Sequence, residues 1–212
     1  MIIAMPGIEM VLVFMAAALA LNLTPGPDML YVTARSVSDG RSAGVVSAFG
    51  IAAGTLVHIT ALALGLAALL AAVPLAYDAV RIAGAIYLGV IGLQLMLRPR
   101  TAGGVAQLPR SRLRVVFAQA VVTNVLNPKV ALFFLAFLPQ FVDPAAGAPV
   151  PQIVLLGLAF NVQGTLVNVA VALLASRTTH WLRSSERRIS MLQRLTGALF
   201  VALGARLALG NR

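Results

Sequence analysis

Six long apolar segments alternate with short polar stretches along the chain. Each segment reaches about 20 mostly apolar residues, which is the length that an α-helix needs to cross the hydrocarbon core of a bilayer. The pattern therefore predicts an all-α integral membrane protein with six transmembrane helices. The predicted spans are residues 8–34, 45–72, 75–97, 114–141, 151–175 and 190–209.

Arginines concentrate in the segments that follow the first, third and fifth predicted spans. With six spans these three segments lie on one side of the membrane, which the positive-inside rule makes cytoplasmic. Both termini are then expected on the opposite, periplasmic side. No Lys or Arg precedes the apolar core of the first segment, so we expect a retained span rather than a cleaved signal peptide.

Composition supports the membrane assignment and excludes several classes of function. Of the 212 residues, 60% are hydrophobic and 10% are charged, whereas soluble domains carry about 25% charged residues. The net charge of +10 resides mainly in short loops, so we expect no nucleic-acid partner. The chain has no cysteine, no phosphate-binding GxxxxGK[ST] motif and no HExxH motif. We therefore expect no cofactor, no metal centre and no enzymatic activity.

The two halves of the sequence resemble each other in order and spacing. GTLVH from Gly54 returns as GTLVN from Gly164, and RIAGAIYLGV from Arg81 returns as RLTGALFVAL from Arg194. The repeat predicts two three-helix units, residues 1–97 and 114–212, joined by a basic cytoplasmic linker over 98–113. Because each unit has an odd number of spans, the second must be inverted relative to the first, an architecture that recurs in secondary transporters.

Proline interrupts one predicted span in each half. Span one contains Pro25, Gly26 and Pro27, and span four contains Asn127 and Pro128. Proline removes a backbone donor and frees a carbonyl, and a non-helical backbone at membrane depth persists where it is buried in protein or lines a wet cavity. We expect both breaks to line a substrate or cation site near the membrane midplane. The alternative is a pair of kinks that serve helix packing alone.

An ionisable residue follows each break directly, Asp28 in the first half and Lys129 in the second. Such residues within spans are costly and point to function. The hypothesis is that the two approach each other, with Asp28 binding a substrate ammonium group or a coupling proton and Lys129 binding a substrate carboxylate. A structural ion pair, or an Asp28 that reaches the cytoplasmic interface, remains open.

Neutral polar residues form a second group of candidates within the spans. They can cap freed backbone groups or bind substrate, and they can equally hold helices together. His58 is also a candidate proton relay, since its ordinary pKa lies near working pH. The group comprises Asn22, His58, Asn124, Asn127, Asn161, Gln163 and Asn168.

Two motifs resemble those of the LysE/RhtB family of bacterial amino-acid exporters. NLTPGPDMLYVTARSVSDGRSAGVVSAFGIAAGTLVH is similar to that family's first two spans, and NVLNPKVALFFLAFLPQFVDP to its fourth span and the following loop. The resemblance extends over essentially the whole chain. It implies an inner-membrane efflux protein for amino acids of the lysine, homoserine or threonine type, driven by proton exchange, with the family's PGP and NPK motifs on residues 25–27 and 127–129.

We therefore expect a secondary exporter that alternates access around the two breaks, with an amino acid or derivative and protons as its small-molecule partners. It would lie in the lipid bilayer, and small residues on its helix faces make a homo-oligomer plausible. The competing functions are a passive channel for small solutes, an exporter of a different solute, and a membrane enzyme or assembly factor.

Overall fold

Helices make up every regular element of the described part of the chain, which confirms the predicted all-α class. A computed structural model describes residues 7–72, 109–143, 147–174 and 186–209, together with scattered residues between 82 and 97. The helices are α1 (Ile8–Leu23), α2 (Pro27–Asp39), α3 (Arg41–Ala72), α4 (Leu113–Val125), α5 (Pro128–Leu132), α6 (Pro149–Leu173) and α7 (Glu186–Leu209). A π-helical turn (Phe133–Phe137) and a 3₁₀ turn (Leu138–Phe141) continue α5.

Four spanning units can be recognised by length and composition in the described residues. Two are single helices, Arg41–Gly65 within α3 and Pro149–Leu173, which is α6. The other two are bent: α1 meets α2 at 49°, and α4 meets Pro128–Phe141 at 46°. These four units coincide with predicted spans one, two, four and five, and the bends lie at the predicted proline breaks.

Predicted spans three and six are described less completely. Span three (75–97) and the linker (98–113) lie largely outside the described residues, while span six (190–209) lies within α7. One close approach relates the two segments, because a Cβ built on Gly92 lies 2.6 Å from the carbonyl oxygen of Gly197. The third segment therefore packs against α7 at this point.

Helix α3 occupies the centre of the described bundle and packs against α2, α4 and α6. Phenylalanine side chains fill the core where α1 meets the second half of the bent α4–α5 unit. Phe14 lies 5.3 Å from Phe141, and Phe133 lies 4.8 Å from Phe160, between ring centroids. Aromatic rings at such distances stabilise a core beyond the area that they bury. Beyond the proline break, the core of the bundle is thus apolar and closely packed.

The contact between α3 and α4 requires glycine at position 50. A Cβ built there lies 2.6 Å from both the Phe117 carbonyl oxygen and the Ala120 Cβ. We expect Gly50→Ala to lower the free energy of unfolding by about 1–3 kcal/mol, because the added methyl group forces the two backbones apart. Thermal unfolding of the purified protein in detergent measures the effect.

Gly65→Ala is the matched control in the same helix, since a Cβ at Gly65 meets no atom within 4 Å. The control variant is expected to unfold at or slightly above the wild-type temperature, because alanine favours helix more than glycine does. Equal stability of the two variants would show that the close approach at Gly50 is not needed for packing.

Candidate functional site

The first break separates α1 from α2 and leaves Thr24, Pro25 and Gly26 outside the helices. Pro27 begins α2, a position at which a missing backbone N–H costs nothing. The Thr24 hydroxyl lies 2.8 Å from the hydroxyl of Thr196 in α7, and both side chains are buried. The unwound segment is therefore held in the interior of the bundle.

The second break separates α4 from α5. Asn127 caps α5, because its side-chain oxygen accepts the backbone N–H of Lys129 at 3.0 Å. Pro128 cannot donate to the carbonyl of Asn124, the acceptor four residues earlier. His58 Nε2 from α3 lies 3.1 Å from that carbonyl oxygen. That oxygen also accepts the Asn127 N–H at 2.9 Å, so the predicted relay residue His58 shares it, and the relay role of His58 stays a prediction.

Lys129 reaches from the second break to the first. Its ammonium donates to the carbonyl oxygens of Leu21 at 3.0 Å and of Thr24 at 2.8 Å. Gly26 leaves room for the approach, since a Cβ there lies 3.1 Å from Lys129 Nζ. The Lys129 ammonium group therefore contacts two carbonyl oxygens at the end of α1.

Asp28 lies in the first turn of α2 and is 9% exposed. Its Oδ2 accepts the side-chain N–H of Asn124 at 2.8 Å, and the Asn124 side-chain oxygen accepts the hydroxyl of Thr55 at 3.4 Å. Asp28 Oδ1 is buried and has no hydrogen-bond partner among the described residues. No ion pair within 4.0 Å joins Asp28 to Lys129 in the described part of the chain. Asp28 and Lys129 both lie near the first break, but their side chains have different hydrogen-bond partners.

A cavity of about 20 Å³ lies between the two broken units and helices α3 and α6. Four asparagines line it, namely Asn22, Asn124, Asn161 and Asn168, together with Thr55, Thr165, Gly164 and Asp28. Apolar side chains of Ile51, Val130 and Phe160 complete the wall. Asp28 is the one ionisable group among these lining residues. At this volume the cavity has room for about one water molecule. Its lining can therefore bind a larger solute, one with a positive charge and several hydrogen-bonding groups, only in a more open conformation.

The structure divides the predicted site residues into two sets. Five of them line the cavity: Asn22, Asp28, Asn124, Asn161 and Asn168. The other eight do not line it. Six of these form the two breaks: Pro25, Gly26, Pro27, Asn127, Pro128 and Lys129. His58 contacts the second break, and Gln163 lies outside the cavity lining. Gln163 accepts from Asn22 at 3.4 Å and donates to the Met15 carbonyl at 3.3 Å, so it joins α6 to α1. Among the described residues, no group of three His, Asp or Glu side chains is placed to bind a metal ion.

Thr55 and Thr165 line the cavity although sequence reasoning did not single them out. The signal was present, because both follow the glycine of a repeated GTLV motif. The glycines themselves are packed closely: a Cβ at Gly54 lies 2.8 Å from Asn124 Oδ1, and one at Gly164 lies 3.1 Å from Asn22 Oδ1. Each GTLV glycine therefore lies against an asparagine that lines the cavity.

A second polar cluster, at the α2 end of the first broken unit, was also missed. Arg35 donates to Asp39 at 2.9 Å, to the Pro109 carbonyl at 2.9 Å and to Gln119 at 2.6 Å. The Arg35 and Asp39 side chains are 4% and 6% exposed. Tyr31, Arg35 and Asp39 are spaced four residues apart on one face of α2, which is the signal that the sequence offered. We call Tyr31, Arg35, Asp39 and Gln119 the Arg35 cluster. The cluster joins α2 to α4 and, through the Pro109 carbonyl, to the residues that precede α4.

A helical bundle with broken apolar units around a polar internal cavity is an arrangement that recurs in membrane transporters. The family profile described as LysE type translocator matches residues 19–211. The chain therefore belongs to the LysE type translocator family, and the expected resemblance is confirmed.

Relatives of known sequence cover most of this chain. An uncharacterized membrane protein of Pseudomonas aeruginosa is 33% identical over 88% of each chain. The homoserine/homoserine lactone efflux protein of Salmonella typhimurium is 31% identical over 92% of this chain and 94% of its own. The leucine efflux protein of the same organism is 27% identical over 92% of each chain. No solved structure matches.

Proposed function

We propose that the protein is a secondary transporter that exports an amino acid or a close derivative across the bacterial inner membrane in exchange for protons. The cavity with Asp28 as its one charged lining residue carries this proposal. The unpartnered Asp28 Oδ1 suits an ammonium group, and asparagine side chains can donate to a carboxylate. The leucine efflux and homoserine/homoserine lactone efflux proteins among its relatives support the amino-acid class.

Competition at Asp28 would couple the two fluxes. The carboxylate can hold either the ammonium group of the solute or a proton, so each ligand displaces the other. The amides of Asn161 and Asn168 replace Lys129 as proposed partners of the solute carboxylate, because Lys129 lies outside the cavity lining and is bonded to carbonyls. A carrier with one shared site exchanges its ligands rather than releasing both together.

We further propose six spans arranged as two inverted units, 1–97 and 114–212, with the basic linker 98–113 in the cytoplasm and both termini in the periplasm. The similar bends of 49° and 46° at the two breaks support this arrangement. The matching approaches of Gly54 to Asn124 and of Gly164 to Asn22 support it as well, because each pairs a GTLV glycine of one half with an asparagine before the break of the other. Association of copies into a homo-oligomer stays a prediction.

Alternating access would rock one unit against the other around the cavity. By the positive-inside assignment the Arg35 cluster lies toward the cytoplasm, where it fastens α2 to α4. The proposed inward-open state therefore requires these hydrogen bonds to break. The described conformation would accordingly be closed on the cytoplasmic side.

Export from cells overexpressing the protein tests the proposed function. A panel of amino acids and their lactone or ester derivatives is measured in the medium, with and without an uncoupler. We expect raised export of one chemical group within the panel and loss of that export when the uncoupler collapses the proton gradient. Export that follows the solute gradient and ignores the uncoupler would indicate a passive channel, and an unchanged panel would contradict the amino-acid class.

A further inference from the structure

The end of α1 presents two carbonyl oxygens to a single point. Pro25 cannot donate to the carbonyl of Leu21, its usual helical acceptor. The Leu21 oxygen accepts the Thr24 N–H at 3.1 Å and keeps a second lone pair, and Thr24 itself lies in the unwound segment. Both oxygens lie within 3.0 Å of one nitrogen, Lys129 Nζ. Converging carbonyls at an unwound segment are the arrangement with which transporter breaks coordinate small cations.

The group that lies between these two carbonyl oxygens, the Lys129 ammonium, comes from the second half of the chain. Lys129 is the only lysine in the sequence, and it is anchored on α5 just after Asn127, which caps that helix. An ammonium group is a compact charge with three donors, and two of them are used by the carbonyls. The charged or titratable groups that face this region are Asp28 on α2 and His58 on α3, and both have hydrogen-bonding contacts to Asn124.

We propose that the break in the first span is a binding site for a monovalent cation or a small ammonium ion, and that Lys129 fills it as a tethered occupant. The site lies outside the cavity lining, so it is separate from the proposed solute site. Because the tether comes from α5, the filled site also fastens the first break to the second. The inference does not depend on the proposed export function.

Removal of the tether should expose the site to free ions. We expect purified, full-length Lys129→Ala in detergent to unfold at a lower temperature than the wild type in choline chloride. Methylammonium, tested beside K⁺ and Na⁺ at equal ionic strength, should raise the unfolding temperature of this variant by about 5 °C in a saturable manner. Wild-type protein should not respond, since its own ammonium occupies the carbonyls.

Lys129→Met is the matched control, because its unbranched stem fills the path of the lysine without a charge. It should be destabilised like Lys129→Ala and should not respond to methylammonium. The proposal is overturned if none of the three cations shifts Lys129→Ala beyond choline. It is equally overturned if the same shift occurs in the wild type and in Lys129→Met, which would indicate a general salt effect.

In a second variant, chemical modification attaches an ammonium group to the side chain at position 129. This test does not require a free ion to enter the site. The chain has no cysteine, so Lys129→Cys provides a single thiol. Its thiolate displaces bromide from 2-bromoethylamine and gives a side chain close to lysine in length and charge. We expect this treatment to restore the wild-type unfolding temperature and neutral iodoacetamide not to restore it; equal effects of the two reagents would contradict a cation site. Since unfolding is the readout, a failure here is distinct from a failure of the export proposal.

Discussion

Asp28→Asn is expected to lower solute export at low solute concentration by about 10- to 100-fold while the protein still folds. Asparagine has nearly the same shape and can keep one hydrogen bond to Asn124, but it carries no charge for an ammonium group or a proton. Hydrogen bonds to a charged group contribute about 1.5–3 kcal/mol, and each 1.4 kcal/mol is a factor of about ten in affinity. Export from cells with matched membrane levels of the two proteins measures the effect.

Glu9→Gln removes a carboxylate from the same broken unit at an exposed position in the first turn of α1. This control is expected to export at the wild-type rate. Near-wild-type export by folded Asp28→Asn would contradict the proposed role of Asp28 in binding the solute and the proton, whatever the control does.

Arg35→Met is expected to give the largest loss of stability among single substitutions of the Arg35 cluster. The change leaves the Asp39 carboxylate, 6% exposed, without its cationic partner. Breaking a buried ion pair from one side costs about 3–5 kcal/mol, because the remaining charge stays desolvated. For a chain of this size the thermal midpoint should fall by roughly 6–20 °C, which thermal unfolding in detergent can follow.

Two further variants separate the buried pair from a general loss of positive charge. Arg41→Met removes an exposed arginine at the start of α3 and should leave the midpoint nearly unchanged. Arg35→Met combined with Asp39→Leu should recover most of the loss, since no unpaired charge remains. A double variant as unstable as Arg35→Met alone would contradict a buried-charge origin.

The two breaks could be predicted from the sequence because the effect of proline is local. Pro25, Pro27 and Pro128 remove backbone donors whatever surrounds them. Helix α1 ends two residues before Pro25, and α2 and α5 begin at Pro27 and Pro128. The ends of other helices were harder to predict from the sequence. Span two was predicted from residue 45, but α3 begins at Arg41, because Gly40 with a φ of 93° ends α2 and turns the chain directly into the next helix.

The partners of the site residues could not be predicted, because they depend on how distant helices pack. Lys129 bonds to carbonyls 105 and 108 residues away, so its sequence neighbourhood gave no sign that it points away from the cavity. Thr55 and Thr165 were hidden for a different reason: threonine is common in apolar helices, and only the shared position after a packed glycine distinguishes them.

Exchange in proteoliposomes tests the central claim most directly. Vesicles containing the purified protein are loaded with an unlabelled amino acid that cells export, and the entry of the labelled compound is followed with and without this load. A carrier with one shared site predicts that loading accelerates labelled entry, and that Asp28→Asn abolishes the acceleration. Entry of the same labelled compound at a rate that loading does not change would contradict the account.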